Sequence, residues 1–107
     1  MFTLNSGKLT SDTIDFAGGT GVMVWDNTSA AQTGTLIVER MSKVSGSGST
    51  WTPVGQTGIG SGPAQLTAAG TRLFTETACL LRLRVTSPSG DILCDAARCH
   101  AGRLVQD

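Results

Sequence analysis

The sequence is short of residues on which several large classes of protein depend. It has no tyrosine, three phenylalanines and two tryptophans, and charged residues make up 15% of its 107 positions. Eight basic and eight acidic side chains give a formal net charge of zero, so nucleic acid is not an expected partner. The scarcity of aromatic rings also argues against a surface that stacks single-stranded bases.

Long apolar runs are missing as well. No segment approaches the roughly 20 apolar residues of a membrane helix, so no membrane association is expected. Residues 1–8 lack the basic region and apolar run of a signal peptide, which predicts a chain made in the reducing cytoplasm. Three cysteines fit that compartment, because a disulfide framework favours an even number.

Alternation of apolar and polar residues is the main pattern that is present. Residues 80–86 show it most clearly, with Leu81, Leu83 and Val85 on one face and the two arginines on the other. The 14 glycines and the many serines and threonines favour turns and strands over helices. We predict strands near residues 10–16, 22–26, 35–43, 51–54, 72–75, 80–86 and 91–97, and no helix.

This count and spacing predict an all-β fold, a single antiparallel β-sandwich of jelly-roll or Ig-like type with about seven or eight short strands. The 107 residues suit one domain. Residues 1–8 are expected to form an N-terminal arm, and residues 98–107 are either a last short strand or a C-terminal tail. Residues 55–63, with four glycines and a proline, are expected to form a mobile loop or to order only against a neighbour.

One predicted strand is apolar on both faces. Val22 and Val24 point to one side, and Met23 and Trp25 point to the other. Such a strand is either covered on both sides of its sheet or presents its outer face to a partner.

The run Ser-Gly-Ser-Gly-Ser-Thr-Trp-Thr-Pro-Val-Gly at residues 45–55 resembles a hairpin found in many small proteins of tailed-bacteriophage virions. A Gly-Thr-hydrophobic strand at residues 34–38 precedes the run, as in that pattern, and a Thr-Ala-x-Gly turn at 67–70, a strand at 81–85 and a closing strand follow it, so the resemblance covers about residues 34–97. Ser47 stands where the pattern often has aspartate. A similar signature occurs in sialidase propeller blades, but a single copy without its aspartate in so short a chain makes a sialidase a poor match.

The resemblance implies a non-enzymatic structural protein of the virion, assembled in the cytoplasm of the host bacterium. A capsid decoration (cement) protein is the leading expectation, with the major capsid protein and copies of itself as partners in a homo-oligomer. The alternatives are a tail or head-fibre domain that binds host glycans through Trp25 or Trp51, and a tail-tube or head–tail connector component. The candidate partner contacts are Phe2, Leu4, Trp25, Ile59, Arg82, Arg84 and Arg103.

Few residues are arranged for chemistry. Cys79, Cys94, Cys99 and His100 are the only soft-metal ligand set, and their spacing is looser than a zinc knuckle, so we expect free thiols, no metal and no cofactor. Cys99 and His100 are neighbours that would point apart in a strand, and no orienting carboxylate stands beside them, so no catalytic residue is expected.

Arg82 and Arg84 share a strand face within the only basic cluster. One interpretation is a solvated outer face with cross-strand partners such as Asp95 or Glu76. A second is an ion-pairing surface against an acidic neighbour, such as capsid protein. Nucleic-acid binding is the third interpretation.

Overall fold

Alternating side chains organise the chain into antiparallel strands. The computed structural model describes residues 1–26, 32–43, 50–55 and 62–100, together with the backbone of residues 103–105. The strands are β1 (Phe2–Leu4), β2 (Ile14–Phe16), β3 (Gly19–Trp25), β4 (Thr33–Met41), β5 (Thr52–Pro53), β6 (Gln65–Leu66), β7 (Gly70–Glu76), β8 (Cys79–Ser89), β9 (Ile92–His100) and β10 (Arg103–Val105). Within these residues there is no helix, and hence none long and apolar enough to span a membrane.

The strands form two antiparallel sheets. The first sheet has the order β1-β9-β3-β7, and β10 also pairs with β9. Cys94 pairs with both Phe2 and Trp25, and Arg98 with both Gly21 and Val105, so β1 and β10 share the edge of β9 that is opposite to β3. The second sheet has the order β2-β8-β4-β5, and β6 also pairs with β4.

The inward side chains of both sheets form the core between them. Its largest fully buried members are Trp25, Phe16, Phe74, Leu4, Met23, Leu36, Leu81, Leu83 and Ile92. The Phe16 and Phe74 rings, one from each sheet, lie 5.6 Å apart between centroids. Phe74 also covers Gly21 on the neighbouring strand, where a Cβ atom would lie 2.3 Å from the ring. Glycine is therefore required at this position for Phe74 to occupy the core.

The structure confirms the predicted all-β sandwich. On β8, Leu81, Leu83 and Val85 are buried, and the residues between them lie on the outer face, as the alternation predicts. The described residues form ten strands, which is more than the seven or eight predicted. β1 and β6 account for the difference, because runs of two or three residues are too short to show a period of two.

Several predicted boundaries differ from those observed. In residues 1–8, where an arm was predicted, Phe2–Leu4 form β1 and Leu4 is fully buried. Residues 98–100 extend β9, and residues 103–105 return along it as β10. Residues 87–89 still belong to β8, although φ is positive at Ser87 (51°) and at Gly90 (79°).

Candidate functional site

The outer face of the first sheet carries apolar side chains. Met23 and Trp25 of β3 belong to the core, so the alternate residues Val22 and Val24 lie on the opposite, outer face. Residues on the neighbouring strands add to this surface. We call Val22, Val24, Leu73, Leu93 and Ala97 the apolar outer face.

Strand register makes much of this surface continuous. Leu73, Val22 and Ala97 are cross-strand neighbours on β7, β3 and β9, so they form one row across the sheet. Leu73 is 44% exposed and Leu93 is 37% exposed, and both are among the few large apolar side chains in the described residues with such exposure. Val22 and Ala97, the other members of the row, are only 3% and 7% exposed, so Leu73 and Leu93 are the main parts of this face that a contact could still cover.

One charged residue lies within the apolar outer face. Asp95 is only 7% exposed, and its Oδ1 atom accepts a hydrogen bond of 2.8 Å from the backbone N–H of Ala96. Its Oδ2 atom lies 3.4 Å from the amino group of Met1. These contacts compensate the carboxylate charge, so the acid does not make the surrounding face strongly polar.

The outer face of the second sheet has a different chemistry. β4 and β8 are paired so that Glu39 lies opposite Arg82 and Ile37 lies opposite Arg84. The Nε atom of Arg82 donates a hydrogen bond of 2.8 Å to Oε1 of Glu39, and the Nε atom of Arg84 lies 3.2 Å from Oε2. The Glu39 side chain is 6% exposed, whereas those of Arg82 and Arg84 are 26% and 39% exposed.

Trp51 completes this cluster. The Arg82 guanidinium carbon lies 4.6 Å from the centroid of the Trp51 ring, a cation–π contact. We call Glu39, Trp51, Arg82 and Arg84 the arginine clamp. Two cations and one carboxylate leave it with one excess positive charge.

The expected cross-strand partners of the two arginines were wrong. Asp95 lies on β9 in the other sheet, and Glu76 on β7 lies 3.3 Å from Nε of Arg40. Glu39 is their actual partner, and no pattern in the sequence singled it out. The alternation of β4 predicted which face Glu39 occupies, but not that β4 pairs with β8.

The predicted contact residues are dispersed over the molecule. Trp25 is 2% exposed and Leu4 is fully buried, so neither side chain is available at the surface, while Phe2 is half-buried against the core. Arg103 begins β10 opposite His100. Ile59 lies outside the described residues. Among the described side chains of the predicted set, Arg82 and Arg84 meet on the outer face of the second sheet, whereas Leu4 and Trp25, with Phe2 against them, belong to the core.

The glycine-rich loop is closed at its base. Gly55 and Pro63 form an isolated β-bridge, and the N–H of Ala64 donates a 2.7 Å hydrogen bond to the carbonyl of Val54. Residues 56–61, which include most of the predicted mobile stretch, lie outside the described residues.

The cysteines occupy separate places in the fold. Cys79 and Cys94 are buried on the inner faces of the second and first sheets, and Cys99 is half-buried near the end of β9. Burial raises the pKa of the Cys94 thiol to about 12, and the nearby Asp95 charge adds to this effect. Burial also raises the pKa of Cys79, although Arg40 opposes the shift. Both thiols are therefore protonated and poorly nucleophilic at neutral pH.

The ligand set considered from the sequence does not converge in the described part of the chain. Cys99 and His100 are consecutive on β9, so their side chains leave opposite faces of the strand. No group of three or more His, Cys, Asp or Glu side chains among the described residues could hold a metal ion.

Two surface cavities lie beside β9, each of about 260 Å³. One is between the β1 and β9 region and β2, and its lining includes Phe2, Ile14 and Ala96. The other is lined by residues 18–20 and by Arg98, Cys99 and His100. The described residues that line them do not bring a nucleophile together with a base and an orienting carboxylate in either cavity.

Comparison of the chain with protein-family models, curated proteins and solved structures found no match.

Proposed function

We propose that the chain is a non-enzymatic structural protein of a tailed-phage virion, and specifically a decoration protein of the outer capsid. The resemblance of residues 34–97 to virion proteins supplies the virion part of this proposal. The β-sandwich fold agrees with it. The apolar outer face is the observation that carries the proposal of an attachment role.

The physical reason is the difference between this sheet and a solvated one. A sheet that packs its inner face on a core and its outer face on water alternates apolar and polar residues. In β3, by contrast, Val22 and Val24 make the outer face apolar while Met23 and Trp25 fill the core. Attachment to a second surface would remove Leu73 and Leu93, the exposed members of the face, from water, a favourable change of about 25 cal/mol per Å² of apolar area.

The proposed partners are the major capsid protein and further copies of this chain. A small sandwich offers a limited contact area, so one copy alone would hold a capsid weakly. Oligomerisation around a capsid symmetry axis would engage several such contacts together, which raises the overall affinity by avidity.

The first experiment tests the virion role. Phage particles should contain hundreds of copies of the protein by quantitative mass spectrometry, and particles that lack it should release DNA at lower temperature. A dozen copies or fewer would favour a fibre or connector role, and hundreds arranged in a tube would favour a tail component. Absence from purified heads, with unchanged heat tolerance, would refute the decoration role.

A second experiment tests the attachment face. Leu73→Asp should reduce binding of the purified protein to heads that lack it, because the substitution places a charge in the apolar row. Thr52→Asp is the matched control, since it adds the same charge at an exposed position of the second sheet. Equal binding by both variants, with folding verified by circular dichroism, would exclude the apolar outer face as the attachment surface.

The glycan-binding alternative has one remaining candidate among the two tryptophans. Trp25 is buried, so its ring cannot form a sugar platform. Trp51 is half-buried and Arg82 covers part of its ring. A glycan array with the isolated protein tests this alternative, and a signal that disappears in Trp51→Ala would support it.

A further inference from the structure

We infer that the arginine clamp is a docking site for a carboxylate side chain on an acidic segment of a partner protein. The clamp combines a nearly buried acid, two arginines with spare hydrogen-bond donors and an aromatic ring on one sheet face. A virion role is not required for the clamp to bind a carboxylate, because its four residues belong to one chain.

The spare donors follow from the way the arginines contact Glu39. Each arginine reaches that carboxylate through Nε, and neither has a further side-chain hydrogen bond or ion pair among the described residues. A guanidinium carries five N–H donors, so the terminal nitrogens of both remain able to donate. The Arg84 side chain is 39% exposed, which leaves its outer edge accessible to a ligand.

The clamp is also held in place before any ligand binds. Arg82 lies between the Glu39 carboxylate and the Trp51 ring, which together restrict its guanidinium plane. The Glu39 side chain, 6% exposed, is fixed within the sheet surface. Binding to a side chain that is already restricted loses less conformational entropy, so these contacts favour recognition.

Charge and shape favour a carboxylate as the ligand. One excess positive charge matches one added carboxylate, and a guanidinium presents two parallel N–H donors that fit its two oxygens. A nucleic acid would be expected to use a larger basic surface, whereas this chain has a net charge of zero. The half-buried Trp51 ring beside the arginines provides an apolar contact for the alkyl part of a glutamate or aspartate.

The test measures binding of fluorescein-labelled hexaglutamate to the full chain by fluorescence anisotropy at an ionic strength of about 0.15 M, at which exposed charges more than ~8 Å apart are largely screened. Arg84→Gln should weaken binding by roughly fivefold or more, because it removes an accessible charged donor. Arg72→Gln is the matched control with the same charge change, and it should weaken binding less than about twofold. Arg72 is exposed on β7 of the first sheet, its Nε atom donates a 3.3 Å hydrogen bond to the Gln65 carbonyl, and it is not one of the four clamp residues.

Glu39→Gln should change the affinity for hexaglutamate in the opposite direction to Arg84→Gln. It keeps an acceptor for Arg82 but removes the internal negative charge, so hexaglutamate should bind roughly threefold more tightly. A clamp with a purely structural role would give no tightening. Urea unfolding of each variant verifies that the sheet is intact, and Arg84→Lys provides a second variant that retains charge without the planar fork.

Several results would overturn the inference. They are the absence of hexaglutamate binding by the unsubstituted protein, equal weakening by Arg84→Gln and Arg72→Gln, and tighter clamp-dependent binding of a single-stranded DNA oligonucleotide. Inorganic phosphate that competes as well as glutamate would point to a general oxyanion site instead of an acidic protein segment. Because the assay uses the isolated protein, its failure is distinguishable from a failure to attach to phage heads.

Discussion

The two sheets have similar side chains on their inner faces and different ones on their outer faces. Both bury apolar residues in the shared core, as Phe74 and Leu83 illustrate. Outside, the first sheet presents Leu73 and its apolar neighbours, whereas the second presents Glu39 enclosed by two arginines. The inner faces therefore form the common core, and the outer faces differ in chemistry, apolar on the first sheet and charged on the second.

The largest expected effects come from the inner faces, where the two sheets should respond equally. Phe74→Ala in the first sheet and Leu83→Ala in the second should each lower the free energy of unfolding by about 3–4 kcal/mol, through lost burial and a cavity. Urea denaturation followed by circular dichroism measures both. A decrease of less than about 1 kcal/mol in the free energy of unfolding for either variant would mean that the substituted side chain is not packed in the common core.

Substitution within the arginine clamp should have the next largest effect. Glu39→Ala leaves Arg82 and Arg84 close together without their shared carboxylate, and it should cost about 2 kcal/mol, a value reduced because both arginines are partly solvated. Asp12→Ala is the control, since its pair with Lys8 is largely exposed and should contribute less than about 0.5 kcal/mol. Equal losses would show that the clamp is an ordinary surface ion pair.

Each sheet buries one thiol, Cys94 in the first and Cys79 in the second, and both should make folding stability depend on pH in the alkaline range. The pKa of Cys94 rises from 9.0 to about 12 on folding, so above pH 9 the unfolded chain loses this proton while the folded chain keeps it. Stability should therefore fall as pH rises, by about 1.4 kcal/mol at pH 10 for this residue. The pKa of Cys79 is also raised, but Arg40 opposes the shift.

Urea unfolding at pH 8 and pH 10 measures this difference. Cys94→Ala should remove more of the pH dependence than Cys79→Ala. Identical pH dependence in the unsubstituted protein and Cys94→Ala would contradict the assignment of the effect to the thiol of the first sheet.

The smallest effect is expected at the apolar outer face. Leu73→Thr should change the stability of the isolated chain by less than about 0.5 kcal/mol, because the leucine is 44% exposed and threonine suits a strand. A loss above about 1.5 kcal/mol that grows with protein concentration would show instead that Leu73 packs against a second copy. Analytical ultracentrifugation of both proteins would then identify the oligomer.

The sequence predicted which side chains of a strand are buried more successfully than which strands pair with each other. The alternation in residues 80–86 correctly separates buried Leu81 and Leu83 from the outward arginines. It does not indicate which strand lies beside β8, because a period of two is the same for every possible partner. Glu39 was missed for that reason, since it meets the arginines only through pairing with β4.

The length of β1 and the packing around Trp25 explain two further differences between the sequence-based predictions and the structure. β1 has three residues, so no period was available to distinguish it from an arm, and only its contact with β9 buries Leu4. Trp25 was considered as a surface anchor because its strand is apolar on both sides. The structure places Trp25 in the core and the two valines on the outer side of β3, where Val22 is nevertheless buried.

The two tryptophans have a practical consequence for experiments in solution. Trp25 lies in the apolar interior, and its indole N–H has no hydrogen-bond partner among the described residues, so its fluorescence should be emitted at short wavelength. Trp51 is half-buried against the Arg82 guanidinium of the second sheet, so its emission should respond to ligands at the arginine clamp. Because the chain has no tyrosine, intrinsic fluorescence reports on these two environments without a third contribution.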